Sequence, residues 1–452
     1  MMEPVFGLTS DSIICSDPMS LRRLSATLLF ATLLSLSVRG ADGDDPTIKE
    51  GWSVTPMPAM AYDSDFGLMA GGFLDINYYG GLYPNYKHRL CIEALTYSKH
   101  ASFYMLQYDS KYLIPGLRTS AKLYYDNNPL YWFYGYNGAV HDYDASLNTN
   151  RDKGIAYYSY DRKYLNGRLE LGGPILPFLD WTAKLSYWHY WISEVNWSGY
   201  DRDNTLFHWY KQQGLIEESE SHGGDILEYQ FGLKIDTRNI ESAPTRGVYA
   251  DVNMAWAPDV FKTGYDYLKL AARFRQYLRL GTERLVFAYS MAYQGTLTGN
   301  QPFYTQSYMI HFKPSDGLGG ATTLRGVLYN RVMGNDYLWG NFEMRTRLID
   351  MSLFKRRVFG VVTPFFDAGA ILQPFRFDRQ AEALAARDNV SAASYDEYRA
   401  TLLGKARELH MSAGLSLQAV IDYNFIPSVT FGIPFDERDG KYGLYMTLDY
   451  IF

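Results

Sequence analysis

Leu227-Glu228-Tyr229-Gln230-Phe231-Gly232-Leu233-Lys234-Ile235 places every apolar side chain on one parity and every polar or small one on the other. That period of two is the signature of a strand with one apolar face and one polar face. The pattern recurs along the chain. From Met411 to Asp422 the odd positions are Met411, Ala413, Leu415, Leu417, Ala419 and Ile421, against Ser412, Gly414, Ser416, Gln418, Val420 and Asp422. In Leu268–Arg279 the polar parity carries Lys269, Arg273, Arg275 and Arg279, and the last segment puts Leu444, Met446, Leu448, Tyr450 and Phe452 on one parity, expected to face outward.

A soluble sandwich alternates too. Three features separate the two architectures. The alternating segments run about 10–13 residues, the length a tilted strand needs to cross a bilayer, whereas ordinary strands peak near five or six. The apolar sets begin or end in Tyr, Trp or Phe, as interfacial girdles do. The opposite sets hold charges that a wet lumen tolerates and a dry core does not. The expected fold is an all-β, 16-stranded antiparallel transmembrane barrel. Its strands start near 52, 66, 88, 100, 118, 153, 181, 226, 247, 266, 285, 336, 358, 407, 424 and 442. Long connections fall at about 127–152, 194–225, 298–335 and 373–406, the last with a short helix expected over Gln380–Arg387.

Composition agrees. The 452 residues are 47% hydrophobic, 16% aromatic with 40 tyrosines, and carry a net charge of −6, which excludes a disordered chain. A mean hydropathy of −0.25 excludes a bundle of spanning helices, and a pI near 5.8 with no dense basic run argues against nucleic acid as a partner. Arg22-Arg23, the apolar run Leu24–Val38 and Arg39-Gly40-Ala41-Asp42 read as a signal peptide over 1–40, cut after Gly40, with Met19 as an alternative start. A short periplasmic segment, 41–51, then precedes a barrel over 52–452, which leaves no space for a further periplasmic module.

Sites of chemistry are thin. The eight histidines have no metal-ligand spacing, no G-x-S-x-G elbow occurs, and Gly317–Gly320 lacks the Lys-Ser/Thr of a phosphate loop. No metal, cofactor or catalytic residue is therefore expected. Tyr131-Trp132-Phe133-Tyr134 reads as a girdle where a strand leaves the membrane.

Four segments resemble, in order, the BamA/TamA-type bacterial surface antigen superfamily of outer-membrane assembly and secretion barrels. Asp236-Thr237-Arg238 with Pro244-Thr245-Arg246-Gly247 is similar to its D-x-R…P-x-x-G turn. Gly319-Gly320-Ala321-Thr322-Thr323-Leu324-Arg325-Gly326 resembles the R-G tip of the long loop before strand twelve. Asn341-Phe342-Glu343-Met344-Arg345 and Pro364-Phe365-Phe366-Asp367-Ala368-Gly369 follow. Terminal Tyr450 and Phe452 fit the family's C-terminal assembly signal, while the first half of the chain resembles the family only by its alternation. The resemblance implies a loop folded into the lumen, with Arg325 and Gly326 meeting Glu343 and Asp367. Bottom-up, the same groups also suit ordinary lumen charges balanced by water.

The resemblance further implies the bacterial outer membrane, contact with its lipids, and a part in assembling, inserting or exporting unfolded outer-membrane protein clients. The family's assembly factors carry POTRA modules, so here an assembly-machinery barrel and lipoproteins are the expected partners. The alternative from residues alone is a passive channel, leaning to anions through Lys269, Arg273, Arg275 and Arg279.

Overall fold

The computed structural model describes residues 51–80, 86–136, 143–310, 315–353, 356–375, 408–421, 425–448 and 450–452, with positions 380, 382, 385 and 386. The expected signal peptide lies outside the described residues, as do four of the eight positions of the expected 380–387 helix; the four that are described are helical.

Sixteen strands close one antiparallel barrel, each beside its neighbours in sequence. They are β1 (Trp52–Asp63), β2 (Gly67–Tyr78), β3 (His88–Tyr97), β4 (Ser102–Ile114), β5 (Leu117–Trp132) and β6 (Ser159–Leu176). Next come β7 (Leu179–Ser193), β8 (Gly223–Asp236), β9 (Gly247–Ala257), β10 (Asp266–Arg279) and β11 (Leu285–Asn300). The wall ends with β12 (Asp336–Leu353), β13 (Arg356–Gln373), β14 (Leu409–Ile421), β15 (Ser428–Pro434) and β16 (Gly443–Thr447). Fourteen of the sixteen have ten or more residues, enough for a tilted crossing, and pairing around the ring satisfies the ladder bonds of the strands between β1 and β16.

Alternation sets which face looks outward. On β8, Tyr229 and Phe231 are exposed on the outer surface while Glu228 and Gln230 are buried inside; β9 repeats this with Val252, Met254 and Trp256 outside and Asp251, Asn253 and Ala255 inside. The expected starts at 153 and 424 move to 159 and 428. Asn150 caps a 3₁₀ turn at 151–153, and Tyr158 turns into a buried cluster. Near the other start, Pro427 cannot donate to a ladder.

The long connections gather at one end of the barrel, where aromatic rings pack together. Helix α1 (Leu206–Gln212), capped by Thr205 Oγ1 accepting from His208 N, lays Phe207 and Tyr210 against Phe133, Tyr160 and Phe303. Tyr136 stacks on Phe375 at 4.2 Å and donates to the Leu215 carbonyl at 2.7 Å. Tyr131-Trp132-Phe133-Tyr134 is fully drawn into this cluster, which corrects the expected girdle. Edge-to-face pairs of this kind add about 0.5–1.5 kcal/mol each beyond burial, so an inward packing of these rings outcompetes an interfacial one.

Candidate functional site: the lumen loop and the barrel seam

Residues 301–310 and 315–335, between β11 and β12, pack against the inner wall. Lys269 Nζ donates to the Thr305 carbonyl, Gln294 Nε2 to Tyr308 and Gln230 Nε2 to Ile310, each at 2.9 Å. Backbone carbonyls of the loop thus accept from inward side chains of β8, β10 and β11. Wall and loop satisfy each other where a wide lumen would otherwise need water.

At the loop tip, Arg325 bonds Asp367 of β13 through Nε and Nη2, both at 2.8 Å, and its backbone N donates to the same carboxylate at 2.9 Å. Arg325 Nη1 donates to Glu343 Oε1 of β12 at 2.6 Å, and Arg345 Nε holds the other oxygen at 2.8 Å. Phe365 lies under the guanidinium, 3.6 Å from its carbon. All three charged partners are buried. Burial disfavours the arginine's charge, but Asp367 and Glu343 outweigh that and hold it protonated. Two planar carboxylates and one planar fork suit each other, which a lysine would not reproduce.

Gly326 continues the tip in a left-handed conformation at φ +101°. A Cβ there would lie 2.7 Å from the backbone of Gly432 on β15. Two glycines are therefore needed for the loop to touch the wall. Gly326 N also donates to the Tyr445 hydroxyl of β16 at 3.2 Å.

The loop then crosses the closure of the barrel from inside. Leu328 N donates to the Asp439 carbonyl at 2.8 Å and Arg331 Nε to the Arg438 carbonyl at 2.9 Å, both in the β15–β16 turn. On the other side, Tyr329 N donates to Asp65 Oδ1 at 3.3 Å, and its ring packs edge-on against Phe66, both in the β1–β2 turn. Residues 326–331 therefore strap the last strand to the first.

That closure is slight. β1 pairs with β2 along all of Trp52–Asp63, but with β16, among the described residues, only at Asp63 opposite Tyr445. Ser64 N donates to the Leu444 carbonyl at 3.0 Å, and Leu444 N to Ser64 Oγ at 3.2 Å. Because the Ser64 N–H crosses the seam, strand alternation aims the other even-numbered amides of β1 at that same edge. Two of those positions are Pro56 and Pro58, which have no N–H to offer.

Below Thr447 the chain leaves the wall. Leu448, Tyr450 and Phe452 are buried, not outward as the alternation predicts. Phe452 packs with Tyr277, Val286 and Ala288, and its carbonyl accepts from Arg345 Nη2 at 2.8 Å. Tyr450 sits 3.9 Å from the Arg345 guanidinium carbon. Rings that cover a buried guanidinium gain cation–π attraction as well as burial, and this draws the end of the chain inward.

The turn motif is a self-contained structure at the opposite end. Asp236 accepts from Arg238 N, Nε and Nη2, and Arg238 Nη1 reaches the Glu241 carbonyl. Burial pulls the Arg238 pKa down, and Asp236 more than reverses it. Gly247, at φ +110°, lies where a Cβ would stand 2.4 Å from the Thr237 carbonyl, and Pro244 is buried beside it. This cluster does not meet the Arg325 cluster.

The basic face is mostly committed. Arg273 bonds Asp251 at 2.8 Å, Lys269 holds the loop, and Arg275 lies over the rings of Tyr249 and Phe452. Arg279 is not on the lumen face; it is exposed in the turn region and pairs with Glu283 at 3.3 Å. Sequence reasoning missed Asp65, Tyr329, Asp439 and Tyr445, whose roles arise only from contacts across the closure. Pro56 and Pro58 carried a readable signal, since two prolines in a strand mark an edge.

No curated protein matches the chain in sequence. BamA from Haemophilus ducreyi, solved lacking POTRA domains 1–3, aligns with a TM-score of 0.56 at 16% identity, over 88% of this chain and 70% of that one. CdiB from Escherichia coli aligns with a TM-score of 0.52 at 12% identity, over 91% of this chain and 64% of that one. At these identities the likeness is one of fold. The sequence match to the Omp85 superfamily domain covers residues 93–448, so the chain belongs to the Omp85 superfamily and is an outer-membrane β-barrel.

Proposed function

We propose that the barrel takes part in assembling, inserting or exporting outer-membrane proteins, working with an assembly-machinery barrel and lipoproteins and acting on unfolded clients. The observation that carries this is the seam: one registered pair, two short flanking bonds and an internal strap hold a barrel whose other neighbours are joined by longer ladders. Such a joint opens at lower cost than any other in the wall, and an opened edge pairs with another strand. The edge that β1 offers is uneven. Its carbonyls accept along its length, but amides point outward only at Trp52, Val54, Met60 and Tyr62, because Pro56 and Pro58 interrupt them. A guest strand therefore donates more bonds to β1 than it accepts. No catalytic group is assigned; the work is that of strand exchange.

The test is a disulfide between Tyr62→Cys and Met446→Cys, positions that the Asp63–Tyr445 register sets opposite one another. Oxidised, the stapled protein should fold yet fail to restore the folded outer-membrane proteins of cells depleted of the native chain; reductant should recover them. Full complementation by the oxidised form would sink lateral opening.

The rival reading, an anion-leaning passive channel, requires free basic groups and open lumen. Lys269 and Arg273 are engaged, and loop residues 301–310 occupy the interior beside them. Steady anion-selective conductance of the intact protein would favour it.

A further inference from the structure

At the barrel end opposite the long connections, a recess opens between the 237–246 turn and β11–β13. Its apolar lining is Ile240, Val286, Phe359 and Val361, and its charged lining is Arg284, Arg345, Arg347 and Glu283, with the Arg347 guanidinium over the Phe359 ring. The Arg345 and Arg347 side chains are only 4% and 9% exposed. Each keeps one buried nitrogen, Arg345 Nη1 and Arg347 Nε, without a hydrogen-bond acceptor.

The nearby carboxylates do not balance these arginines. Glu343 is shared by Arg325 and Arg345, Asp350 by Arg347 and Arg357, and Glu283 is taken by Arg279. With Asp367 on Arg325, the described residues set six guanidiniums, Arg284 included, against four side-chain carboxylates and the terminal oxygen of Phe452, which accepts from Arg345. Buried donors without acceptors beside a surplus of positive charge call for an anion. The donors come from two elements, β12 and the β10–β11 turn, so they converge on a tetrahedral oxyanion better than on one planar carboxylate.

The geometry points to this recess as a binding site for a phosphate monoester carried on a short apolar body. The phosphate lies against Arg284, Arg345 and Arg347, and the apolar body lies on Val286, Phe359 and Val361. Arg345 also shares Glu343 with Arg325 of the lumen loop, so Arg284 and Arg347, which contact neither the loop nor the seam, are the positions that test the recess separately from the proposed function.

Hexyl phosphate, inorganic phosphate and hexanol, titrated calorimetrically into the full-length barrel in a neutral detergent, test it. Hexyl phosphate should bind at one site per chain, at least tenfold tighter than inorganic phosphate, and hexanol should not bind. Arg347→Gln should weaken hexyl phosphate tenfold or more. Arg284→Gln, at an exposed turn position that folding does not require, should also weaken it, while Arg202→Gln at the opposite end should leave it unchanged. Absence of saturable binding overturns the assignment. So does equal affinity for inorganic phosphate, or indifference to both recess substitutions.

Discussion

Arg325 concentrates the cost of the lumen loop in a single side chain. Removing one partner of a buried ion pair strands the other charge, which costs about 3–5 kcal/mol. Arg325→Ala takes from Asp367 the guanidinium that holds both its oxygens and leaves Glu343 with Arg345 alone. The expected outcome is a barrel that unfolds at markedly lower temperature in heat-modifiability gels, with Arg325→Lys rescuing little, because one ammonium cannot reproduce the fork. Unchanged unfolding would make the cluster dispensable. Gly326→Ala acts differently: it forces a Cβ onto Gly432 at an unfavourable φ, a strain of about 1–3 kcal/mol. Proteolysis should then open within 317–332 while the wall remains resistant.

Among the elements, β1 is the unusual one. It is fully paired on one side and nearly bare on the other, and its prolines remove two donors from the bare side. Edge prolines commonly prevent strands of separate molecules from joining. Pro56→Ala with Pro58→Ala should therefore raise the dimer fraction in detergent, as measured by light scattering; a strictly monomeric variant would deny the prolines that role. The 326–331 strap is the complementary device. Asp65→Ala removes its hold on the β1 side. Added to the Tyr62→Cys, Met446→Cys protein, it should slow formation of the stapling disulfide if the strap aligns the seam. An unchanged rate would mean the two hydrogen bonds and one registered pair of the seam suffice.

For the whole molecule, sixteen strands enclose a lumen wide enough for a water-filled channel unless something fills it. Here residues 301–310 and 315–335 and the aromatic cluster at the loop end do so. The intact protein in planar bilayers should give small or erratic conductance, and deleting 306–330 should produce large, steady steps. Large conductance from the intact chain would contradict the filled lumen.

Much of this was legible in the sequence. Alternation fixes strand number, strand faces and the long connections, because lipid and lumen impose opposite demands on successive side chains. Arg325, Glu343 and Asp367 were nominated by motif and parity, and the structure brings them together. Local alternation failed where tertiary packing supplied a stronger partner than lipid. Tyr131-Trp132-Phe133-Tyr134 joins other loops' rings, Tyr450 and Phe452 turn inward to Arg345 and Tyr277, and Arg279 leaves the lumen for Glu283. Beyond the edge that Pro56 and Pro58 mark, the seam was not legible in the sequence. Whether first and last strands meet along their length depends on where β16 ends and what the loop holds, and both follow from contacts between residues hundreds of positions apart.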